Sequence, residues 1–256
     1  MVRLSIYNEK GGVGKTTMTA MLASYLSYAH GKSVCVLDFD YPSYHFMELR
    51  QSELRIAADP KTPLAFWQRS NPLAGEPYQV FSFPPGDGGI YHPREVFVYL
   101  QNILADGYDY VFYDFPGRFA PGEPVSFIAA NGFLDFMAIP MDTDAQSRRS
   151  ALVVADAIQS AGIPLSLFWN RVSAPESKGS GVRFRRGAEP FVSRGMDVMD
   201  EAVRDVRIIS RDSSEMAFVR STLCFPTRYV NMRSASIIPF LEALKGRIDN
   251  VQHTSL

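Results

Sequence analysis

The chain has 256 residues, 46% hydrophobic and 21% charged, with a formal net charge of −1; this content supports a sizeable core and excludes disordered, collagenous and disulfide-scaffold classes. No stretch approaches the ~18 consecutive apolar residues that cross a bilayer, and the opening run reads as a strand, so a cytoplasmic location is expected. The balance is uneven: residues 1–177 carry 13 Lys and Arg against 18 Asp and Glu, whereas residues 178–256 carry 13 against 9, which leaves a basic C-terminal third.

Residues 2–7 read as a short strand, followed by a glycine-rich loop and a helix over 16–30, in which Met18, Met21, Leu22, Tyr25 and Leu26 recur at helical spacing. Gly31 is a natural stop. The continuous apolar run 33–37 suits a parallel strand covered on both faces, and strand, helix, strand makes one βαβ unit. Residues 41–77 are proline-punctuated and read as an irregular excursion with a short helix over 45–53. A strand is predicted over 78–83, and Pro93 opens a helix with Val96, Phe97, Leu100, Ile103 and Leu104 on one face. Further strands fall at 110–113, 133–140 and 164–169, the last two separated by a helix over 143–161 that Gly162 ends. Residues 173–187 carry Lys178, Arg183, Arg185 and Arg186 among glycines and serines and read as a mobile basic loop. Ile237, Ile238, Leu241, Leu244 and Ile248 mark a terminal helix. The alternation predicts an α/β domain spanning 1–256, a three-layer sandwich around a mainly parallel, doubly wound sheet.

Cys35 and Cys224 are far apart in apolar settings and read as buried reduced thiols; without a CxxC or a His/Cys cluster, neither a structural zinc nor an iron–sulfur cluster is visible in the sequence. His30, His45, His92 and His253 are scattered, and no catalytic role is expected of them.

The chemistry concentrates in Asn8-Glu9-Lys10-Gly11-Gly12-Val13-Gly14-Lys15-Thr16-Thr17, between the first strand and the first helix. Backbone N–H groups of a glycine-rich turn and of a helix N-terminus converge there on an anion. Lys15 would reach the β and γ phosphates, the Thr16 hydroxyl would ligate Mg²⁺, and Thr17 would help hold the α-phosphate.

The general phosphate-loop pattern has glycine five residues before Gly14; this chain has Glu9, followed by a second lysine, Lys10. Lysine opening KGGVGKTT resembles the deviant Walker A motif of the ParA/MinD family of P-loop ATPases. That resemblance implies Mg²⁺ and ATP as cofactor and substrate, hydrolysis to ADP and phosphate, and a homodimer in which Lys10 crosses to the partner's phosphates, so that Lys10, Lys15 and Asp40 form the catalytic set. Asp38-Phe39-Asp40 looks like the family's Asp-x-Asp segment, with Asp40 orienting the attacking water and Asp38 supporting the metal shell; Tyr41 intervenes before Pro42 where the family usually has proline directly. Residues 110–117 resemble the Walker B strand and the following switch, with Asp114 on a Mg²⁺-bound water and the Gly117 N–H on the γ-phosphate. Asn170, at the end of a late strand, resembles the family asparagine that reads adenine, and an amide offers both a donor and an acceptor to a purine edge. A strand-end turn is the competing reading. The absence of an Asn-Lys-x-Asp motif also favours adenine over guanine. Arg118 reads as a surface arginine.

In this family the ATP state binds a surface and hydrolysis releases it. ParA-like members bind DNA non-specifically and partition plasmids or chromosomes, and some accompany conjugative elements. MinD-like members bind membrane through a lysine-rich terminal helix, which Glu242 and Asp249 beside Lys245 and Arg247 disfavour here. DNA-contact candidates are Arg183, Arg185, Arg186, Arg204, Arg207, Arg211, Arg220, Arg228 and Arg233, and a dimer doubles their phosphate contacts. DNA binding would place the chain on the nucleoid. The short form of ParA, which this chain resembles, works with a separate DNA-site-binding partner that stimulates hydrolysis. Two alternatives stay open: a MinD-like positioning ATPase on a membrane or protein surface, and an ATP-dependent synthetase or kinase whose small substrate meets Tyr44, His45, Arg50 and Arg55.

Overall fold

The computed structural model describes residues 1–70, 76–86, 91–117, 123–172, 180–203, 221–225 and 237–254. Seven parallel strands form one sheet: β1 (Val2–Ile6), β2 (Val34–Asp38), β3 (Gln79–Ser82), β4 (Tyr110–Asp114), β5 (Phe136–Met141), β6 (Leu165–Trp169) and the two-residue β7 (Asp197–Val198). They lie in the order β3-β2-β4-β1-β5-β6-β7, and every pairing is parallel.

The helices are α1 (Lys15–Ser24), α2 (His45–Ala57), α3 (Pro63–Ser70), α4 (Pro93–Leu104), α5 (Pro124–Ala130), α6 (Ala145–Ser160), α7 (Ser180–Val192) and α8 (Ile237–Thr254). Alternate residues of each buried strand point to opposite faces. Leu4, Val36, Phe112 and Ala138 pack with Met18, Met21 and Leu22 of α1, Phe46 of α2 and Phe240, Leu241 and Leu244 of α8. Leu37, Val111, Tyr113 and Ile139 pack with Leu100 of α4, Ile128 of α5, Val154 of α6 and Phe191 of α7. Two helical layers therefore enclose the sheet, the three-layer α/β architecture expected from the alternation. The uninterrupted burial of β2, β4 and β5 follows from that enclosure.

The first helix does not stay α-helical to its end: residues Tyr25–Ala29 form a π-helical turn, and Gly31 then closes it at φ +64°. Cys35 and Cys224 are free and buried, and burial pushes both thiols up to about 12.

Two sequence expectations are corrected. The excursion, expected to be irregular apart from a short helix over 45–53, holds two helices: the expected one runs on to Ala57 as α2, and α3 follows it. Pro63 occupies the first helical position of α3, where a missing N–H costs nothing, so proline there starts a helix instead of breaking one. The basic loop expected over 173–187 is helical from Ser180, held by Ala188 and Phe191 packed into the sheet's cover, while residues 173–179 lie outside the described residues. Sequence reading also passed over α5 and β7.

Candidate functional site

The chain's carboxylates and its glycine loop meet at the C-terminal edge of three neighbouring strands. β1 ends into the loop, and the last residues of β2 and β4, Asp38 and Asp114, stand side by side in register. The helices after β1 and β2 cover one face and those after β4 and β5 the other, which opens a crevice at the edge where ligands of such sheets bind. A cleft of about 500 Å³ lies there, lined by Gly11, Gly14, Lys15, Thr16, Asp40, His45 and Gly117 among others.

The loop is fixed from both sides. At its root, buried Asn8 donates through Nδ2 to the Pro140 carbonyl at 2.7 Å, and its Oδ1 accepts from the Lys10 N–H at 3.1 Å and the Ser150 hydroxyl at 2.6 Å. At its crown, Asn170 Nδ2 donates to the Val13 carbonyl and Arg171 Nη1 to the Gly12 carbonyl, each at 2.7 Å. The carbonyls are thus taken on the outside. Gly14 sits at φ +92° as the residue before α1, and a β-carbon on it would lie 2.6 Å from Asn170 Nδ2, so glycine is required twice over. A β-carbon on Gly117 would lie 2.7 Å from the Glu9 carbonyl oxygen, which presses the segment after β4 against the loop.

Lys15 Nζ lies 3.4 Å from the Lys10 carbonyl oxygen, and burial holds its pKa below the ordinary lysine value against the pull of Asp114 and Asp40. Thr16 Oγ1 donates to Asp114 Oδ2 at 2.9 Å. The other oxygen, Asp114 Oδ1, is buried with no hydrogen-bond partner among the described residues. Burial, then the neighbouring Asp38, pushes the Asp114 carboxyl up to about 7 despite the Thr16 bond. An orphaned carboxylate oxygen beside a threonine hydroxyl is a hard oxygen donor set of the kind that fits Mg²⁺ together with phosphate oxygens. Thr16 and Asp114 would hold such an ion, which supplies charge neutralisation at the phosphates.

Three of these residues have contacts within the chain that their expected roles did not include. Asp38, expected to support the metal shell, spends both oxygens on its own turn, Oδ1 accepting from the Asp40 N–H and Oδ2 from the Met47 N–H, each at 3.0 Å. Asn170, expected to read adenine, braces the loop with Nδ2 while its Oδ1 accepts from the Arg171 N–H at 3.0 Å. Lys10 Nζ is ion-paired within its own chain to Asp144 and lies 3.6 Å from Asp142, both just after β5. Of Tyr44, His45, Arg50 and Arg55, only His45 lines the cleft; Arg50 is buried, donating to Thr222 and to the Tyr78 carbonyl.

His45, of which no catalytic role was expected, is brought to the site: its Nδ1 lies 2.5 Å from Asp40 Oδ2. Asn8, Asp142, Asp144 and Arg171 were also passed over. Their only sequence signal is position, each at or just beyond a strand end next to a loop.

Of the expected DNA-contact arginines, Arg204, Arg207, Arg211, Arg220, Arg228 and Arg233 lie outside the described residues, as does Arg118. Arg183 and Arg185 fall on α7. Arg186 lines a groove of about 440 Å³ between α6 and α7 together with Arg148 and Arg149, and among the described residues none of these three has an ion-pair partner. On α8, by contrast, Lys245 pairs with Asp249 at 2.6 Å and Arg247 with Asp197 at 2.7 Å. Among the described residues no helix is long and apolar enough to cross a membrane.

A family profile described as the CobQ/CobB/MinD/ParA nucleotide binding domain matches residues 4–248. No curated protein matches the sequence. Among solved structures, the Aquifex aeolicus MinC:MinD cell division protein complex is similar at a TM-score of 0.64 and 17% identity, covering 96% of each chain. A ParA of pNOB8 bound to nonspecific DNA is similar at 0.55 and 17% identity, covering 100% of this chain and 99% of that one. A putative plasmid partition protein of Borrelia burgdorferi B31 bound to AMPPNP is similar at 0.57 and 14% identity, with the same coverage. At these identities the likeness establishes the fold.

Proposed function

The chain belongs to the CobQ/CobB/MinD/ParA nucleotide-binding domain family, and from that premise we propose that it is a ParA-like ATPase, one nucleotide-binding domain that dimerises on Mg²⁺-ATP, engages DNA non-specifically and lets go on hydrolysis. The observation that carries the ATPase half is the convergence of Lys15, Thr16 and Asp40 on one cleft beside a pinned glycine loop, with buried Asp114 hydrogen-bonded to Thr16 behind it. Loop N–H groups and Lys15 cradle the phosphates, Thr16 and Asp114 hold the ion, and Asp40 orients water toward the γ-phosphate. Lys10 reaches the partner's phosphates when two subunits close. A separate protein bound at a DNA site stimulates turnover, in the maintenance of a plasmid, chromosome or conjugative element.

DNA is favoured over membrane by the placement of cations. The α8 cations are consumed by acidic neighbours, whereas Arg148, Arg149 and Arg186 line an open groove with no acidic partner among the described residues. A dimer presents the groove twice, which raises avidity for a polyanion without new contacts.

The test is binding of Asp40→Ala protein to random-sequence duplex DNA with ATP, with ADP and without nucleotide, over a salt series. ATP-dependent binding that weakens steeply with salt, and that the triple change of Arg148, Arg149 and Arg186 to Ala abolishes, supports the reading. An ATP dimer that ignores DNA in every condition overturns the DNA half and leaves the ATPase standing.

A further inference from the structure

Asp40 stands at the exit of β2, and its backbone has no freedom to spare. Its N–H donates to Asp38 Oδ1 at 3.0 Å, its carbonyl accepts from the Tyr44 N–H at 2.7 Å, and the Phe39 N–H before it donates to the Asp114 carbonyl at 2.9 Å. The Asp40 side chain is different, because it carries a carboxylate on two rotatable bonds beside an open cleft. Its one hydrogen-bond partner among the described residues is His45.

His45 is the first residue of α2, and that helix is tied down at both ends of its first half. Asp38 Oδ2 accepts from the Met47 N–H at 3.0 Å. Deeper in the helix, Arg50 donates to Thr222 Oγ1 at 2.8 Å and to the Tyr78 carbonyl at 2.6 Å, while Glu53 accepts from the Thr222 N–H at 2.8 Å. The imidazole thus hangs from a fixed helix end and reaches back over the turn to the carboxylate. A carboxylate offers only lone pairs, so Nδ1 carries the proton in this contact. The contact also favours the charged imidazole, lifting the His45 pKa above its ordinary value.

We propose that His45 is a positioning residue for hydrolysis: by donating from Nδ1 to Asp40 Oδ2 it fixes the carboxylate so that the remaining oxygen is presented to the water attacking the γ-phosphate. This rests on the reading of Asp40 as the water-orienting carboxylate. The physical advantage is pre-organisation, since a carboxylate that must find its rotamer during each turnover loses the benefit of orientation. His45 then acts on the chemical step and leaves nucleotide binding, which belongs to the loop and Lys15, unchanged.

The experiment compares wild type, His45→Ala, His45→Asn, Asp40→Ala and the double variant in single-turnover phosphate release at saturating Mg²⁺-ATP, with affinity for a fluorescent ATP measured in parallel. The His45 side chain is 61% exposed, so its removal leaves the core intact. His45→Ala is expected to slow phosphate release by about 10- to 100-fold with affinity changed less than about twofold. In His45→Asn the amide nitrogen takes the place of Nδ1, and most of the rate returns. The double variant is no slower than Asp40→Ala, because both changes remove one device. Wild-type turnover in His45→Ala beside an inactive Asp40→Ala overturns the proposal and keeps the reading of Asp40. Wild-type turnover in Asp40→Ala overturns that reading and the proposal with it. Losses that multiply in the double variant, or no recovery in His45→Asn, also overturn it, since His45 would then act apart from Asp40.

Discussion

Lys10 and Asp144, 134 positions apart in sequence, are ion-paired within one chain, with Asp142 a further 3.6 Å from the same ammonium. On the proposed trans role, the lysine is thus engaged at home, and the Asp144 contact lifts its pKa above the ordinary lysine value. Dimerisation in that form would have to break the pair. Changing Asp142 and Asp144 to Asn should lower the protein concentration at which ATP drives dimer formation by up to about fivefold, the range of a solvent-exposed pair. Sedimentation velocity with and without ATP reads this directly. Lys10→Ala should bind ATP normally and stay monomeric; ATP dimers of that variant at wild-type concentrations would sink the trans-lysine reading.

The bracing role of Asn170 separates from base recognition by choice of ligand. With Nδ2 on the Val13 carbonyl, its loss frees the crown of the phosphate loop whatever base is attached. Asn170→Ala should therefore weaken tripolyphosphate as strongly as ATP, by about 10-fold for one buried hydrogen bond and the group it orphans. Calorimetric titration decides the matter: intact tripolyphosphate binding with lost ATP binding would return Asn170 to the adenine.

Asp114 gives a pH signature to the metal-free protein. Its folded pKa of about 7 lies above the ordinary carboxylate range, so the unfolded state gives up this proton first. The associated stability is fully present below the unfolded value and is lost as pH rises through the folded one. In EDTA without nucleotide, Tm should fall between about pH 5 and pH 7.5, and Asp114→Asn should reduce that fall. Asp38 and Glu53, also raised by burial, supply the slope that remains. On the proposed reading Mg²⁺ would compete with the same proton, so Mg²⁺-ATP should stabilise wild type more at pH 8 than at pH 6 and lose that pH dependence in Asp114→Asn. Equal pH slopes in the two proteins would refute the assignment.

Arg50 and Glu53 are both buried and meet at Thr222, the arginine from one side and the carboxylate from the other. Arg50→Met removes three buried hydrogen bonds, to Thr222 Oγ1, the Thr222 carbonyl and the Tyr78 carbonyl, and should cost about 3–5 kcal/mol. Thr222→Val removes a hydroxyl that both side chains use and should cost about 1–3 kcal/mol. Urea denaturation midpoints at unchanged m-value measure both. A Thr222→Val protein as stable as wild type would show that the backbone contacts alone carry the joint.

The first βαβ unit and its loop were legible because each part has a local cause: apolar runs for β1 and β2, helical spacing for α1, glycines where the loop turns. The start of α2 was legible as well, but its run to Ala57 and the whole of α3 were not. The prolines of that segment look like breakers until Pro63 is placed at a helix start, and Arg50 and Glu53 look like an outward face although they point inward. α7 was hidden by its arginines, since the two residues that anchor it, Ala188 and Phe191, come after them. At the site, the placement of Lys15 and Thr16 at the loop and of Asp114 at the strand end was readable from motif and strand pattern. His45, Asp144 and the brace of Asn170 depend on where a turn folds back or on contacts across more than a hundred residues. No local pattern encodes those.

The order of the strands also decides where the molecule can yield. β1, β2 and β4 each have a hydrogen-bonded neighbour on both sides, and β3 and β7 take the edges. Amide protons of these three strands can trade with solvent deuterium only when the sheet itself opens, whereas those of residues 10–14 and 39–44 sit in turns above it. Bound nucleotide should leave its imprint in the isotope uptake of those turns and almost none in the strands beneath. On the proposed cycle, binding and release would play out in these turns, above inner strands that keep a hydrogen-bonded neighbour on each side.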